Sequence, residues 1–283
     1  MNKIRKIDTS KTAPSDARAT WGPFTAGFEW DGNAGVNTAV GHVHTDKPGD
    51  LVALATRYKA SYVEQFDDFL GDTLRTDVWA VFSGSDAQAA DPVTAATAGV
   101  SGELSMVTGN DGTTTVAVNG TQINGDLNWK ANQGELFFET RLKLSAITDV
   151  VLFAGFTDQS AALEMPFTLA GTTLTSVATD GVGILFDTGA TTDNFWGQGV
   201  KAGTDATQID TGEAPVADTY VRLGVKVDSD GIATYYVNGT QVGDPQASAV
   251  TVSTALCPVV CAFAETATSR TVTVDYIVTS QGR

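Results

Sequence analysis

The sequence predicts an all-β protein built as a sandwich of antiparallel sheets, and three observations carry that expectation. Residues 220–243 have the pattern of a strand meander. Short runs of the same period, divided by Gly, Asp and Asn, recur from residue 66 to the end. No apolar stripe of helical period reaches a useful length in that region.

The meander is the clearest element. Val221, Leu223, Val225 and Val227 alternate with Tyr220, Arg222, Lys226 and Asp228, as in a strand with one buried face. Residues 228–231 then reverse the chain, and Ala233, Tyr235 and Val237 form the next apolar face. Asn238-Gly239 predicts a type I′ turn, which needs positive φ at both central residues. The same spacing occurs at Asp111-Gly112 and Asn119-Gly120, so a second hairpin is expected there, from duplication or from convergence on a good turn.

In chain order, residues 1–20 are polar and basic and read as an extended arm. Trp21, Phe24, Phe28 and Trp30 follow in a Gly-rich stretch without helix or strand period. Rings in such a segment need a surface to cover them, on the same body or on a neighbouring subunit, so they are candidate attachment residues. His42 and His44 would share a strand face with Asp46 beyond, but no further metal ligand is placed beside them. Leu51, Leu54, Tyr58 and Tyr62 have helical spacing, which allows a short helix over 50–62. The boundary between this amino-terminal segment and the β-body is set at 62/63.

Residues 83–101 are poor in large apolar groups and are expected to be a loop. Residues 135–144 alternate cleanly, with Leu136, Phe138, Leu142 and Leu144 on one face. Residues 150–157 are nearly all apolar, the signature of a strand buried on both sides. Further strands are expected at 182–187, 195–202 and 270–279. Cys257 and Cys261 lie four residues apart; on a strand their Cα atoms would be about 13 Å apart, too far for a disulfide, so buried thiols are expected.

Charge limits the partners. Net charge is −16, and residues 1–18 hold five basic and two acidic groups, leaving 12 basic and 31 acidic groups, or −19, in the rest. A body this acidic repels phosphates and anionic lipid, so neither nucleic acid nor membrane is an expected partner. The first ten residues lack the apolar centre of a secretory signal, and the chain is read as a soluble product of the cytosol.

The order of Phe66-Asp67-Asp68-Phe69, the 135–144 strand, residues 152–158, residues 182–187, the Asp-Gly…Asn-Gly hairpin and a closing Val274-Asp275-Tyr276-Ile277 resembles the concanavalin A-like, laminin-G-like jelly roll. More narrowly, the chain is similar to virion proteins of tailed bacteriophages that carry this jelly roll behind an amino-terminal segment. The resemblance spans about residue 63 to 283. It implies a capsid decoration or cement role made in the host cytoplasm, with the major capsid protein, other virion proteins and sister subunits of a homo-oligomer as partners. Glycanases of this fold carry a Glu-x-Asp-x-x-Glu strand. Here Glu29-Trp30-Asp31 begins one, but Ala34 replaces the second glutamate. Glu135 and Glu139 would stand about 13 Å apart on one strand, beyond the roughly 5–9.5 Å of cooperating carboxyl pairs. No enzymatic activity is therefore expected. The alternative is a lectin-like module for host-surface glycans, for which Asp158, Asp193, Asn194 and Trp196 are the candidate residues and Ca²⁺ the cofactor the fold allows.

Overall fold

The structure is a computed structural model and describes residues 62–94 and 102–283. Trp21, Phe24, Phe28, Trp30, both histidines, and the 50–62 stretch up to residue 61 lie outside the described residues.

Eighteen strands follow one another along the described chain. The first nine are β1 (Tyr62–Asp67), β2 (Ala80–Ser83), β3 (Ala90–Thr94), β4 (Leu104–Val107), β5 (Gly120–Asn124), β6 (Leu136–Leu144), β7 (Val150–Thr157), β8 (Phe167–Ala170) and β9 (Thr173–Ser176). The rest are β10 (Gly181–Asp187), β11 (Phe195–Lys201), β12 (Thr204–Asp205), β13 (Ile209–Asp210), β14 (Val221–Val227), β15 (Ala233–Val237), β16 (Thr240–Gln246), β17 (Cys257–Ala264) and β18 (Thr271–Gly282). They form two eight-stranded antiparallel sheets. The front sheet runs β16-β15-β14-β6-β18-β4-β3, with β1 also paired to β18; the back sheet runs β12-β11-β10-β7-β17-β5-β2, with β13 on β11. A separate two-stranded sheet, β8-β9, completes the set.

Strand periodicity explains where the core lies. On β6 the alternation of Leu136, Phe138, Leu142 and Leu144 points every second side chain inward. Those residues meet Leu152, Ala154 and Phe156 of β7, Val182, Ile184 and Phe186 of β10, and Val260 and Ala262 of β17. Phe138 and Phe156 touch edge to face at 5.7 Å between centroids, a geometry worth about 0.5–1.5 kcal/mol beyond area burial. The meander forms as expected: β14 pairs with β15 and β15 with β16. Asn238 (φ 53°) and Gly239 (φ 80°) make the left-handed pair that a type I′ turn requires.

Strands β7, β10 and β17 are buried on both faces. Their outward side chains Val151, Phe153, Leu185, Val259, Cys261 and Phe263 form a second apolar cluster with Met165, Phe167, Leu169 and Ala178. Those last four come from residues 158–180, which therefore lie as a roof over the back sheet, with the β8-β9 hairpin in its centre.

Two expectations are corrected. Around Asn119-Gly120 there is no hairpin: Val116–Asn119 form a single helical turn and Gly120 (φ −73°) starts β5. Asn119 is fully buried, and its amide donates to the carbonyls of Asp111, Thr113 and Ala264 at 2.8, 3.2 and 3.1 Å while accepting the Asp111 N–H at 3.1 Å. These side-chain bonds supply what turn geometry would otherwise provide. Within residues 83–101, Ala90–Thr94 form edge strand β3 on β4, with a register irregularity between Ala90 and Val93. An edge position with a bulge accommodates Pro92, which has no N–H to give to a ladder.

Candidate functional site

The two sheets offer opposite outer surfaces, and the chemistry of each follows from what covers it. On the back sheet the roof is tied down at both margins. Asp187, at the end of β10 and 2% exposed, accepts the Leu169 N–H at 2.7 Å through one oxygen and the Gly189 N–H at 2.8 Å through the other. At the far margin, Gln122 and Asn124 of β5 are fully buried. Gln122 accepts the Glu164 N–H at 2.8 Å and donates to Ala162 O at 3.2 Å, and Asn124 donates to Ser160 O at 3.0 Å. Asp180 closes the roof by accepting the N–H of Thr251 at 2.7 Å and the hydroxyl of Thr254 at 3.1 Å.

One buried polar side chain of the back sheet, unlike Gln122, Asn124 and Asp187, is not tied to the roof. Gln198 of β11 is fully buried, and neither its amide nitrogen nor its amide oxygen has a protein partner. Its cross-strand neighbours Gly183 and Gly155 have no side chains to answer it. A Cβ on Gly183 would lie 2.7 Å from the Phe153 ring, so that glycine makes room for the Phe153-Phe167 pair.

Several carboxyls at the roof margins are pushed above the ordinary carboxylate range. Burial is the main cause for Asp158, Glu164, Asp187 and Glu265; the charge of Asp158 adds to it at Glu164, and that of Asp187 at Glu265. Burial also lifts the thiols, Cys257 to about 12 and Cys261 further. Both are free and buried on β17, and Cys257 donates to the carbonyls of Thr157 and Gln159 at 3.4 and 3.3 Å. Protonated and covered, they are inert structural groups.

The candidate glycan residues do not converge. Thr157, just before Asp158, pairs with Gly181, whereas Phe195, just after Asn194, pairs with Phe186. Five residues of β10 separate those rows, about 17 Å of strand rise. Asp158 therefore belongs to one end of the back sheet and Asp193, Asn194 and Trp196 to the other. Trp196 is on a strand and packs under the roof, its indole donating to Thr192 O at 3.3 Å, so it offers no open ring. Asn194 donates to Asp210 Oδ1 at 2.9 Å, and Asp193 is exposed beside it. Among the described residues no group of three or more His, Cys, Asp or Glu side chains is arranged to hold a metal ion.

The front sheet is different, because its described outer face is partly open. Glu139 stands opposite Gly224 and Val278, and Tyr236 opposite Gly224. In the adjoining row Arg222 faces Arg141, which also pairs with Tyr276. Arg141 forms an ion pair with Asp275 at 2.6 Å, and its guanidinium carbon sits 4.0 Å over the Tyr220 ring, with Lys143 at 4.5 Å from the same ring. Tyr220 gives its hydroxyl to Glu103, and Tyr276 gives its own to Glu139 at 2.7 Å. Burial, then Glu139, raises the Tyr276 phenol to about 12. Glu135 and Glu139 are thus taken up separately by neighbouring strands, the former by Lys226 at 2.9 Å.

No family profile and no curated protein sequence matches this chain. Solved structures do. A protein of unknown function from Shewanella oneidensis MR-1, SO2946, aligns with a TM-score of 0.55 and 15% identity over 85% of this chain and 96% of its own. The carbohydrate recognition domain of Emp47p aligns at 0.52 and 10% identity over 79% and 98%. A structure described with endo-acting O-glycanases of human gut bacteria that initiate mucin breakdown aligns at 0.53 and 9% identity over 77% and 98%.

The fold is a concanavalin A-like jelly roll.

Identities this low establish the architecture of the jelly roll and nothing of its ligand. Within that architecture, sequence reasoning missed the roof, the tether at Asp187 and the Arg141-Arg222 row. The alternation of Phe167 and Leu169 was the available signal for β8, too short to separate from a loop.

Proposed function

We propose that this protein is a non-enzymatic, adhesive jelly roll that serves as a structural component of a tailed-phage virion surface, held there by its amino-terminal segment. On the back sheet the non-enzymatic part is supported by the roof, whose apolar side chains from residues 158–180 fill the outer face while Asp187 is committed to backbone N–H groups; on the front sheet it is supported by the separate engagement of Glu139 by Tyr276 and Glu135 by Lys226. The separation of Asp158 from Asp193 supports the same reading, since no acid-base pair is formed between them. The virion setting rests on the sequence resemblance and on the aromatic stretch Trp21, Phe24, Phe28 and Trp30.

The test replaces those four rings by serine in the full chain and measures incorporation into particles. Loss of incorporation by a variant with an unchanged melting temperature is expected; normal incorporation would overturn the attachment scheme.

A second reading is favoured by a specific observation. The front sheet carries half-exposed Phe137, Tyr236 and Tyr276 beside Glu139 and Arg222, the mixture of ring faces and charged hydrogen-bonding groups that suits sugars. Glycan recognition by that face is compatible with a place on a particle surface, and a glycan array probed with the full chain tests it.

A further inference from the structure

We propose that Asn238, at the tip of the β15-β16 hairpin, is a site of spontaneous covalent modification, where the side-chain amide is exchanged for a carboxylate through a cyclic imide formed with Gly239. The conversion needs water and no enzyme, so its extent records the age of the molecule.

The chain contains three Asn-Gly dipeptides, Asn119-Gly120, Asn124-Gly125 and Asn238-Gly239, and the first and last of them share the run Asn-Gly-Thr-Gln. Glycine has no side chain to shield its backbone nitrogen, so all three are chemically competent. The fold separates them. Asn119 and Gly120 are buried; the Asn119 amide nitrogen donates to three carbonyls, and the Gly120 N–H is given to Val116 O. Asn124 and Gly125 are buried as well, with the Asn124 amide nitrogen donating to Ser160 O at 3.0 Å and the Gly125 N–H to Pro258 O at 2.9 Å. In both, the attacking nitrogen and the leaving nitrogen are held in place and shielded from water.

At Asn238 each of those restraints is lifted. Asn238 and Gly239 are exposed, and among the described residues neither the Gly239 N–H nor the Asn238 amide nitrogen donates a hydrogen bond. The contacts that remain favour the reaction. The Arg222 N–H donates to Asn238 Oδ1 at 3.1 Å, the oxygen that becomes negative when Cγ is attacked. The Arg222 guanidinium donates to Asn238 O at 2.9 Å, and its Nη2 lies 3.0 Å from where a Cβ on Gly239 would be, so a cation stands beside the nitrogen that must lose its proton. In the first step Gly239 N loses its proton and bonds to Asn238 Cγ, the Cγ–Nδ2 bond breaks, and ammonia leaves with that proton. Water then opens the ring. Addition at Cγ yields aspartate; addition at the Asn238 carbonyl carbon yields isoaspartate, with the chain running through the former side chain. Either product sets a carboxylate beside Arg222. Isoaspartate also adds a methylene to a turn whose central residues, at φ 53° and 80°, fix the β15-β16 register.

The experiment incubates the full chain in mildly alkaline buffer, native and in guanidinium chloride, and follows the three Asn-Gly peptides over time by mass spectrometry, with isoaspartate assigned by fragmentation. Circular dichroism verifies that the native sample stays folded. In the native chain the Asn238 peptide is expected to gain the mass of an amide-to-acid exchange at least about tenfold faster than the other two, because the buried dipeptides react only through local opening. In the unfolded chain all three are expected to convert at similar rates, which shows that the fold and not the neighbouring sequence makes the difference. Conversion of Asn119 or Asn124 in the native chain as fast as that of Asn238 would overturn the proposal. So would an Asn238 as inert as the two buried residues in the native chain while all three convert on unfolding.

Discussion

Asp187 and Leu169 are joined by a hydrogen bond of 2.7 Å that runs from the backbone of the β8-β9 hairpin to a buried carboxylate on the back sheet. A two-stranded hairpin has little stability of its own, so this bond and the apolar contacts of Phe167 and Leu169 fix the roof in place. Replacing Asp187 by Ala strands the buried Leu169 N–H and leaves that of Gly189, an exposed residue, to water. The expected loss is about 1–3 kcal/mol, the cost of one unsatisfied buried group. Equilibrium denaturation measures it, and hydrogen exchange at the Leu169 amide should rise with it.

The pH dependence has a defined sign. Asp158, Glu164, Asp187 and Glu265 all have folded-state values above the unfolded references of 3.8 for Asp and 4.5 for Glu. The native state holds these protons more tightly than the unfolded chain does. Their contribution is therefore fully present below the unfolded values and is lost as pH rises through the folded ones. The melting temperature should fall as pH is raised from the acid side of that window to neutrality. The double variant Asp187→Asn, Glu265→Gln should flatten the profile.

Gln198 is the least satisfied group under the roof. Exchange for leucine removes two unpaired buried amide atoms and keeps the side-chain size, so a gain of about 1–2 kcal/mol is expected. A loss in denaturant titrations would mean that Gln198 is engaged by hydrogen bonds in solution.

Gly197 lies against the Tyr235 ring, and a Cβ there would come within 2.4 Å of it. Tyr235 is fixed: its single hydroxyl proton is shared between Gln246 Oε1 at 2.5 Å and Gln198 O at 3.0 Å. Gly197→Ala should cost about 1–3 kcal/mol by overpacking, and Tyr235→Phe should cost a similar amount by leaving the Gln246 oxygen without its donor. Thermal unfolding of the two single variants checks both.

What the sequence made legible was the part governed by local period. The alternation at Leu136–Leu144 and the Asn238-Gly239 turn come through unchanged, because one-sided burial and positive φ leave direct marks on residue choice. Long-range covering leaves weaker marks. A strand was expected over 195–202, but nothing local showed that Gly197 and Gly199 admit Tyr235 and the Ala249-Gln246 contact, or that Trp196 lies covered under the roof. The apolar run at Val150–Thr157 did predict burial on both faces, but nothing local said that residues 158–180 supply the second cover. Asn119 shows the same limit: its dipeptide with Gly120 suits a turn, but its amide is buried on the backbone of Asp111 and Thr113 and on the distant carbonyl of Ala264, partners that the dipeptide does not announce.

The central claim is that this jelly roll adheres and does not cut, and mass spectrometry of a panel of neutral and acidic oligosaccharides after prolonged incubation with the full chain tests it most directly. The account predicts that every oligosaccharide keeps its mass. Time-dependent appearance of shortened or unsaturated products, absent from a heat-inactivated control, would contradict it.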